Sequence, residues 1–351
     1  MAALASTLDS RPLAAQATES AVRGVRPPAL RVGPAGWSYR DWAGTVYPHP
    51  RPHGFHEAEF LSRYFDTIEI NTSFYQPVRP ESARLWLKQV SGNPRFQFTA
   101  KLWRRFTHDR DAGREDEQAV KQGLQPLANA GRLGALLLQF PWSFRWTRGN
   151  REYLGGVVMQ FMEYPLVLEV RHSSWNCPEA FELLGELGVG FCNIDQPIMG
   201  RSLGPTAQAT AAVGYVRLHG RNYNQWFAHA QPHERYDYLY RMEELEPWVE
   251  RARRVAAHAE STFVITNNHF EGKGVANAFE IEALLTGDLI PVPATLRAHY
   301  PELAAISSVE GADAASASGG RTVAAGRPSG PQQADFSFEP ELKAQTESSR
   351  K

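Results

Sequence analysis

Two glutamates stand inside apolar runs, Glu69 in Thr67-Ile68-Glu69-Ile70-Asn71 and Glu169 in Leu166-Val167-Leu168-Glu169-Val170-Arg171. A carboxylate in such a setting is costly unless it is paired or put to use. Two of them facing one ligand suit general acid/base work, provided their surroundings push their pKa values apart. Arg171 lies two residues from Glu169 and should keep it ionised as the base; Glu69 has fewer cations near it in sequence and is the expected proton donor. Lys101, Gln139, Arg171 with His172, Asp195, Arg217 with His219, and Asn267-Asn268 close other apolar runs, as Trp37-Ser38 closes the first. Lys101, Arg171, Arg217 and His219 are residue types that hold phosphate or carboxylate, while Asn71, Gln139 and Asn268 suit hydroxyl groups. Asp195 and His219 join the two glutamates as expected catalytic groups.

The runs that carry these residues read as strands over 30–37, 65–71, 95–101, 134–141, 166–172, 189–195, 214–219 and 262–268. Several are continuously apolar, as in Ala135-Leu136-Leu137-Leu138, which fits strands covered on both faces. Segments of helical period lie between them, over 55–64, 80–90, 115–130, 150–164, 178–187, 236–259 and 275–285. Gly188 is placed to end the helix over 178–187. This alternation predicts an α/β fold, a closed parallel (β/α)8 barrel of the TIM type. A doubly wound open sheet would also alternate, but no Gly-rich phosphate fingerprint supports it. Pro197, Gly200, Gly204 and Pro205 predict a short or missing sixth helix. In a barrel all the strand C-termini converge on one mouth, and period-two alternation puts Glu69 with Asn71, Glu169 with Arg171, and Arg217 with His219 on shared faces. A satisfied internal salt-bridge network, Glu169 with Arg171 or Lys101, is the bland alternative. Polar ends on all eight strands favour a site, because each buried ion costs several kcal/mol.

The chain has 351 residues, 42% hydrophobic and 21% charged, so a large core is available and wholesale disorder is excluded. No apolar run reaches the ~20 residues of a membrane helix, and the first thirty residues lack a secretory apolar stretch. Cys177 and Cys192 are too few for a disulfide framework or a structural zinc site. The formal net charge of −1 argues against coating nucleic acid through bulk charge. A cytoplasmic protein, a barrel over 30–300, and disordered tails over 1–29 and 307–351 are the expectation. His49, His53 and His56 crowd a proline-rich surface loop and do not make a convincing metal site. Trp103-Arg104-Arg105-Phe106-Thr107-His108 mixes cations and aromatics, and reads either as a nucleotide or sugar-phosphate contact or as a packed loop. No motif implies a cofactor.

The blocks Gly33-Pro34-Ala35-Gly36-Trp37-Ser38-Tyr39, Thr67-Ile68-Glu69-Ile70-Asn71-Thr72-Ser73-Phe74-Tyr75, Phe98-Thr99-Ala100-Lys101 with Thr107-His108, and Leu138-Gln139-Phe140-Pro141 resemble the domain-of-unknown-function 72 (YecE-like) family. So do Glu169-Val170-Arg171-His172-Ser173-Ser174-Trp175, Tyr215-Val216-Arg217-Leu218-His219-Gly220-Arg221, and Asn267-Asn268 with Asn277-Ala278. The resemblance implies a TIM-type barrel and a site at its mouth, but no reaction. Trp37, Tyr75, His108, His172 and Asn267, which lie in these blocks, join the expected ligand contacts. The expected function is a hydrolase-type enzyme acting on a small anionic, polyhydroxylated ligand such as a sugar or sugar phosphate. With the glutamates on the second and fifth strands, a wide carboxyl spacing of roughly 6.5–9.5 Å is expected. The runner-up is a metal-dependent phosphodiester or nucleic-acid hydrolase using Glu69, Glu169, Asp195 and His219. A non-catalytic ligand-binding barrel is the third reading.

Overall fold

Short runs of Val, Ile, Leu and Phe, each followed by a polar stop, form eight parallel strands in the computed structural model, which describes residues 30–223 and 236–308. They are β1 (Leu30–Pro34), β2 (Thr67–Ile70), β3 (Gln97–Lys101), β4 (Leu133–Gln139), β5 (Leu166–Glu169), β6 (Gly190–Asp195), β7 (Val213–Leu218) and β8 (Ser261–Thr266). The ladder runs β1-β8-β7-β6-β5-β4-β3-β2. A bridge from Ala35 to Glu69, with the Gly36 N–H donating to the Glu69 carbonyl at 2.8 Å, brings the last strand back to the first. Gly33 permits that closure, because a Cβ there would lie 1.9 Å from the Thr67 carbonyl oxygen.

Helices clothe the outside: α1 (Glu57–Ser62), α2 (Pro80–Gln89), α3 (Arg114–Asn129), α4 (Arg148–Phe161), α5 (Pro178–Glu186), α6 (Met242–Ala256), α7 (Lys273–Thr286) and α8 (Ala294–His299). In α6 the buried residues Leu245, Trp248, Val249, Ala252 and Val255 recur at helical spacing and face the barrel. Gly188, at φ +65°, follows α5 in the left-handed conformation that ends helices. The barrel with strands covered on both faces is thus present as expected, and its strands are shorter than the apolar runs by a few residues.

Two features depart from the simple repeat. No helix follows β6; residues 196–212 run as an extended loop, as Pro197, Gly200, Gly204 and Pro205 foretell. The expected helix over 236–259 begins only at Met242, and Tyr238 and Tyr240 lie in an extended stretch before it. Packing continues past residue 300: the Ser308 N–H donates to the Ile290 carbonyl at 2.9 Å, and Ser307 is bridged to Ile290. Ser307 and Ser308, expected in the tail, therefore belong to the folded body. The expected tails 1–29 and 309–351 lie outside the described residues.

Candidate functional site

The inner face of the barrel near its C-terminal mouth is built around Arg217 on β7, which is fully buried. Its Nε donates to Glu69 Oε2 at 3.0 Å and one terminal nitrogen to Glu69 Oε1 at 2.7 Å, a bidentate fork. The same nitrogen donates to Asn267 Oδ1 at 3.0 Å, and the other donates to Glu169 Oε2 at 2.9 Å and Gln139 Oε1 at 3.3 Å. A guanidinium has five N–H donors, and these five bonds use all of them. The Tyr215 hydroxyl, 2.9 Å from both Glu69 Oε2 and Thr99 Oγ1, donates to the carboxylate from below.

This arrangement revises two expected roles. Arg217 has no donor left for a ligand anion; it is the bracket that holds the two glutamates. Glu69 accepts on both oxygens from a cation and a phenol, so its carboxyl group is taken up by Arg217 and Tyr215 and is not turned to a ligand's leaving group. Sequence distance concealed this, since Arg217 arrives from across the barrel. The guanidinium also stands between Glu69 and Glu169, where the runner-up reading needs a metal ion. Among the described residues no three His, Cys, Asp or Glu side chains come together as a metal cage.

Glu169 differs from Glu69 in having one oxygen without a hydrogen bond. Oε1 has an Arg171 terminal nitrogen at 3.0 Å and His219 Nε2 at 3.2 Å. Neither approach is in line, so Oε1 and Nε2 are both buried without a proper hydrogen bond. Burial alone would raise the Glu169 pKa, but the charges of Arg217 and Arg171 and the neighbouring His219 outweigh it and hold it well below the usual carboxylate range. For His219, burial first and then the charges of Arg171 and Arg217 outweigh the attraction of Glu169, and lower its pKa to about 3. The ring is neutral at physiological pH.

Lys101 ends β3 on the face shared with Thr99, with its ammonium 5.4 Å from the Phe74 ring centre. Tyr75 and His108 also meet Phe74 edge-on, at 5.2 and 5.0 Å, so these three expected residues gather on the β2–β3 side of the mouth. Asn71 donates to the Tyr39 hydroxyl at 3.0 Å. Tyr39, which sequence reading missed, stacks on His269 at 4.5 Å; its position depends on the turn at Gly36, at φ +78°. Tyr215 was also missed, although its place two residues before Arg217 in the inward set 215, 217, 219 is a usable signal.

Four expected residues are elsewhere. Register pairs Arg217 with Ile194 and Leu218 with Asp195, so Asp195 shares the outward face. There Arg221 binds it through two nitrogens at 2.8 and 3.1 Å. Burial raises the Asp195 pKa against the opposing bonds from Arg221, Tyr240 and Trp248. The inward residues of β6 are instead Ile194 and, paired with Tyr215, Cys192, whose thiol pKa is pushed up by burial and by the Glu169 charge. His172 accepts from the Ser174 N–H at 3.1 Å and packs against Trp142, capping a short turn. Asn268 donates to the Tyr238 carbonyl and to Asn277 Oδ1, both at 2.8 Å, tying down the segment before α6. Trp37 packs edge-on against Trp86 of α2 at 5.2 Å and belongs to the layer between sheet and helices. Arg104 is paired with Asp109, and Arg105 with Asp111 and Asp116, so the basic-aromatic segment is an internally neutralised loop. His49, His53 and His56 are exposed.

Comparison with known proteins bears on the family and the fold. The family model described as "Protein of unknown function DUF72" matches residues 31–298. The chain is 29% identical over 274 residues to the UPF0759 protein YunF of Bacillus subtilis, covering 73% of this chain and 94% of that one. The crystal structure of a DUF72 family protein from Thermotoga maritima matches with a TM-score of 0.63 at 31% identity, covering 73% of this chain and 98% of that one. A DUF72 family protein from Enterococcus faecalis, at 23% identity, shares the fold with a TM-score of 0.65 over 73% of this chain and 95% of that one. The chain belongs to the DUF72 family.

Proposed function

We propose that the chain binds a small anionic, hydroxyl-bearing molecule at the C-terminal mouth of the barrel and acts on it as a hydrolase. The observation that carries this reading is the juxtaposition of Glu169 Oε1 and His219 Nε2, buried 3.2 Å apart without an in-line partner. A buried donor or acceptor left in this state costs roughly 1–3 kcal/mol, which a ligand or water bound against it recovers. The charge balance supports an anion. The buried ions of the inner face are Lys101, Arg171 and Arg217 against Glu69 and Glu169, a formal surplus of one positive charge. Lys101 and Arg171 hold the anionic group, and Asn71 a hydroxyl. Glu169, ionised at neutral pH, orients a water and takes its proton.

With Glu69 locked by Arg217, no carboxylic acid stands ready to protonate a leaving group. That favours a bond whose leaving group is a weak base, as in an acyl or aryl phosphate, over an alkyl glycoside. The first test uses glycerol 3-phosphate, inorganic phosphate and glycerol in thermal-shift titrations of the full chain. Both anions should raise Tm and glycerol alone should not, since only ligands that bind the native state stabilise it. Lys101→Ala should weaken the response about tenfold, the equivalent of about 1.4 kcal/mol. Glu169→Gln should keep the response and lose turnover across a panel of phosphate esters. An unchanged ligand recovered from wild type would favour a binding barrel; no response to either anion would remove the reading.

A further inference from the structure

The hydrogen bonds around Asn267 fix more than a side-chain position. Its amide orientation is set by Arg217, which needs an acceptor and therefore faces Oδ1, at 3.0 Å. Asn267 Nδ2 then faces His219 Nδ1 at 3.1 Å. An amide NH2 only donates, so Nδ1 is the acceptor and the ring proton of the neutral imidazole is on Nε2. That N–H is buried 3.2 Å from Glu169 Oε1 and lacks an in-line acceptor.

We propose that Asn267 is a positioning residue that holds the His219 proton on Nε2, so that His219 meets a ligand as a neutral hydrogen-bond donor and not as a base. The chain of control runs from Glu69 and Glu169, which orient Arg217, through Asn267 to the imidazole. The charged groups that weigh most on the ring, among the described residues, are Glu169 from β5, Arg171 just beyond β5, and Arg217 from β7. Two cations against one carboxylate disfavour an imidazolium there. A fixed neutral donor suits a ligand oxygen that is negative or becomes so during reaction, because the proton is already aimed and needs no reorganisation. The ligand-facing role rests on the proposed function; the tautomer does not.

The test is long-range proton–nitrogen NMR of the full chain labelled with nitrogen-15 histidine, with the His219 signals identified by their loss in His219→Gln. The expected result is an Nε2–H imidazole whose signals do not titrate between pH 5 and about 8. An Nδ1–H ring, or one that becomes an imidazolium in that range, overturns the proposal without any variant. Asn267→Asp then tests the lock. Aspartate keeps an oxygen for Arg217 but has no proton for Nδ1, so the ring should move its proton to Nδ1 or gain a second one. An unshifted Nε2–H signature in a folded Asn267→Asp protein would show that Asn267 does not set the tautomer. If that variant does not fold, Asn267→Ala, which has no side-chain donor for Nδ1, is read in the same way. Glycerol 3-phosphate added to wild type separates the two readings. A shifted Nε2–H signal supports both; an Nε2–H tautomer with no response to the anion keeps the tautomer assignment and removes the ligand.

Discussion

On the inner face of the strand ends, Glu69, Gln139, Glu169, Arg217 and Asn267 form one hydrogen-bonded cluster. On the outer face the polar residues serve separate local tasks. Asn193 accepts from Thr206 Oγ1 and from the Gln208 N–H, Asp195 is bound by Arg221, and Asn268 by Asn277. Outer residues replace the backbone partners that the helix-free segment 196–212 and the stretch before α6 would otherwise lack. Inner residues bind one another and leave Glu169 Oε1 and His219 Nε2 buried without a hydrogen bond. Polar strand ends in this barrel therefore do two kinds of work, and one residue of register decides which.

The strongest way to break this contrast is Arg217→Met. It leaves Glu69 and Glu169 buried without their shared cation, and removal of one member of a buried ion network costs about 3–5 kcal/mol. Urea denaturation at neutral pH should show that loss, and lower pH should relieve part of it as the carboxylates take up protons. A loss below about 1 kcal/mol would mean that the inner cluster does not hold the floor of the site. Asp195→Asn should cost less, on the order of 1–3 kcal/mol, through the weakened pair with Arg221. Unlike Lys101→Ala, it should leave the Tm response to glycerol 3-phosphate intact. An equal loss of response in both variants would put Asp195 back in the site.

Much of this was legible beforehand. The apolar runs, their polar stops and the prolines and glycines after β6 located the barrel, the mouth and the missing helix. What failed was assignment at single residues. Asp195 looks like Glu169 from its neighbours, and only the pairing of Ile194 with Arg217 turns it outward. Trp37 closes a strand like Asn71, yet the turn at Gly36 sends it toward α2 and brings Tyr39 to the mouth. Glu69 has fewer cations near it in the chain than Glu169; the guanidinium that takes up its carboxylate is 148 residues away. Local sequence carries periodicity, whereas pairing across a barrel comes from closure.

A smaller effect sharpens the comparison through pH. Glu280 on α7 is nearly as buried as Glu169, but burial, against the Asn277 bond and with the Glu302 charge, pushes its pKa up to about 7. The native state then holds a proton that the unfolded chain releases between roughly pH 4.5 and 7, so stability falls as pH rises through that window. Glu280→Gln should be more stable than wild type at pH 8, by on the order of 1–3 kcal/mol, with the gain vanishing toward about pH 4.5. His219 has the opposite sign. Its folded pKa of about 3 lies below the unfolded value, so the unfolded chain binds the extra proton and stability falls as pH drops from the normal histidine range toward 3. His219→Gln should flatten that slope by up to about 1.4 kcal/mol per pH unit, read from urea midpoints against pH.

The most direct measurement is a crystal structure of the full chain grown with glycerol 3-phosphate. The expected result is the phosphate between Lys101 and Arg171 at the mouth, an oxygen of the molecule accepting from His219 Nε2, and Arg217 still bound to both glutamates beneath it. A phosphate bound directly by Arg217, or an Asp195 side chain turned into the mouth beside it, would contradict the division between the inner and outer faces.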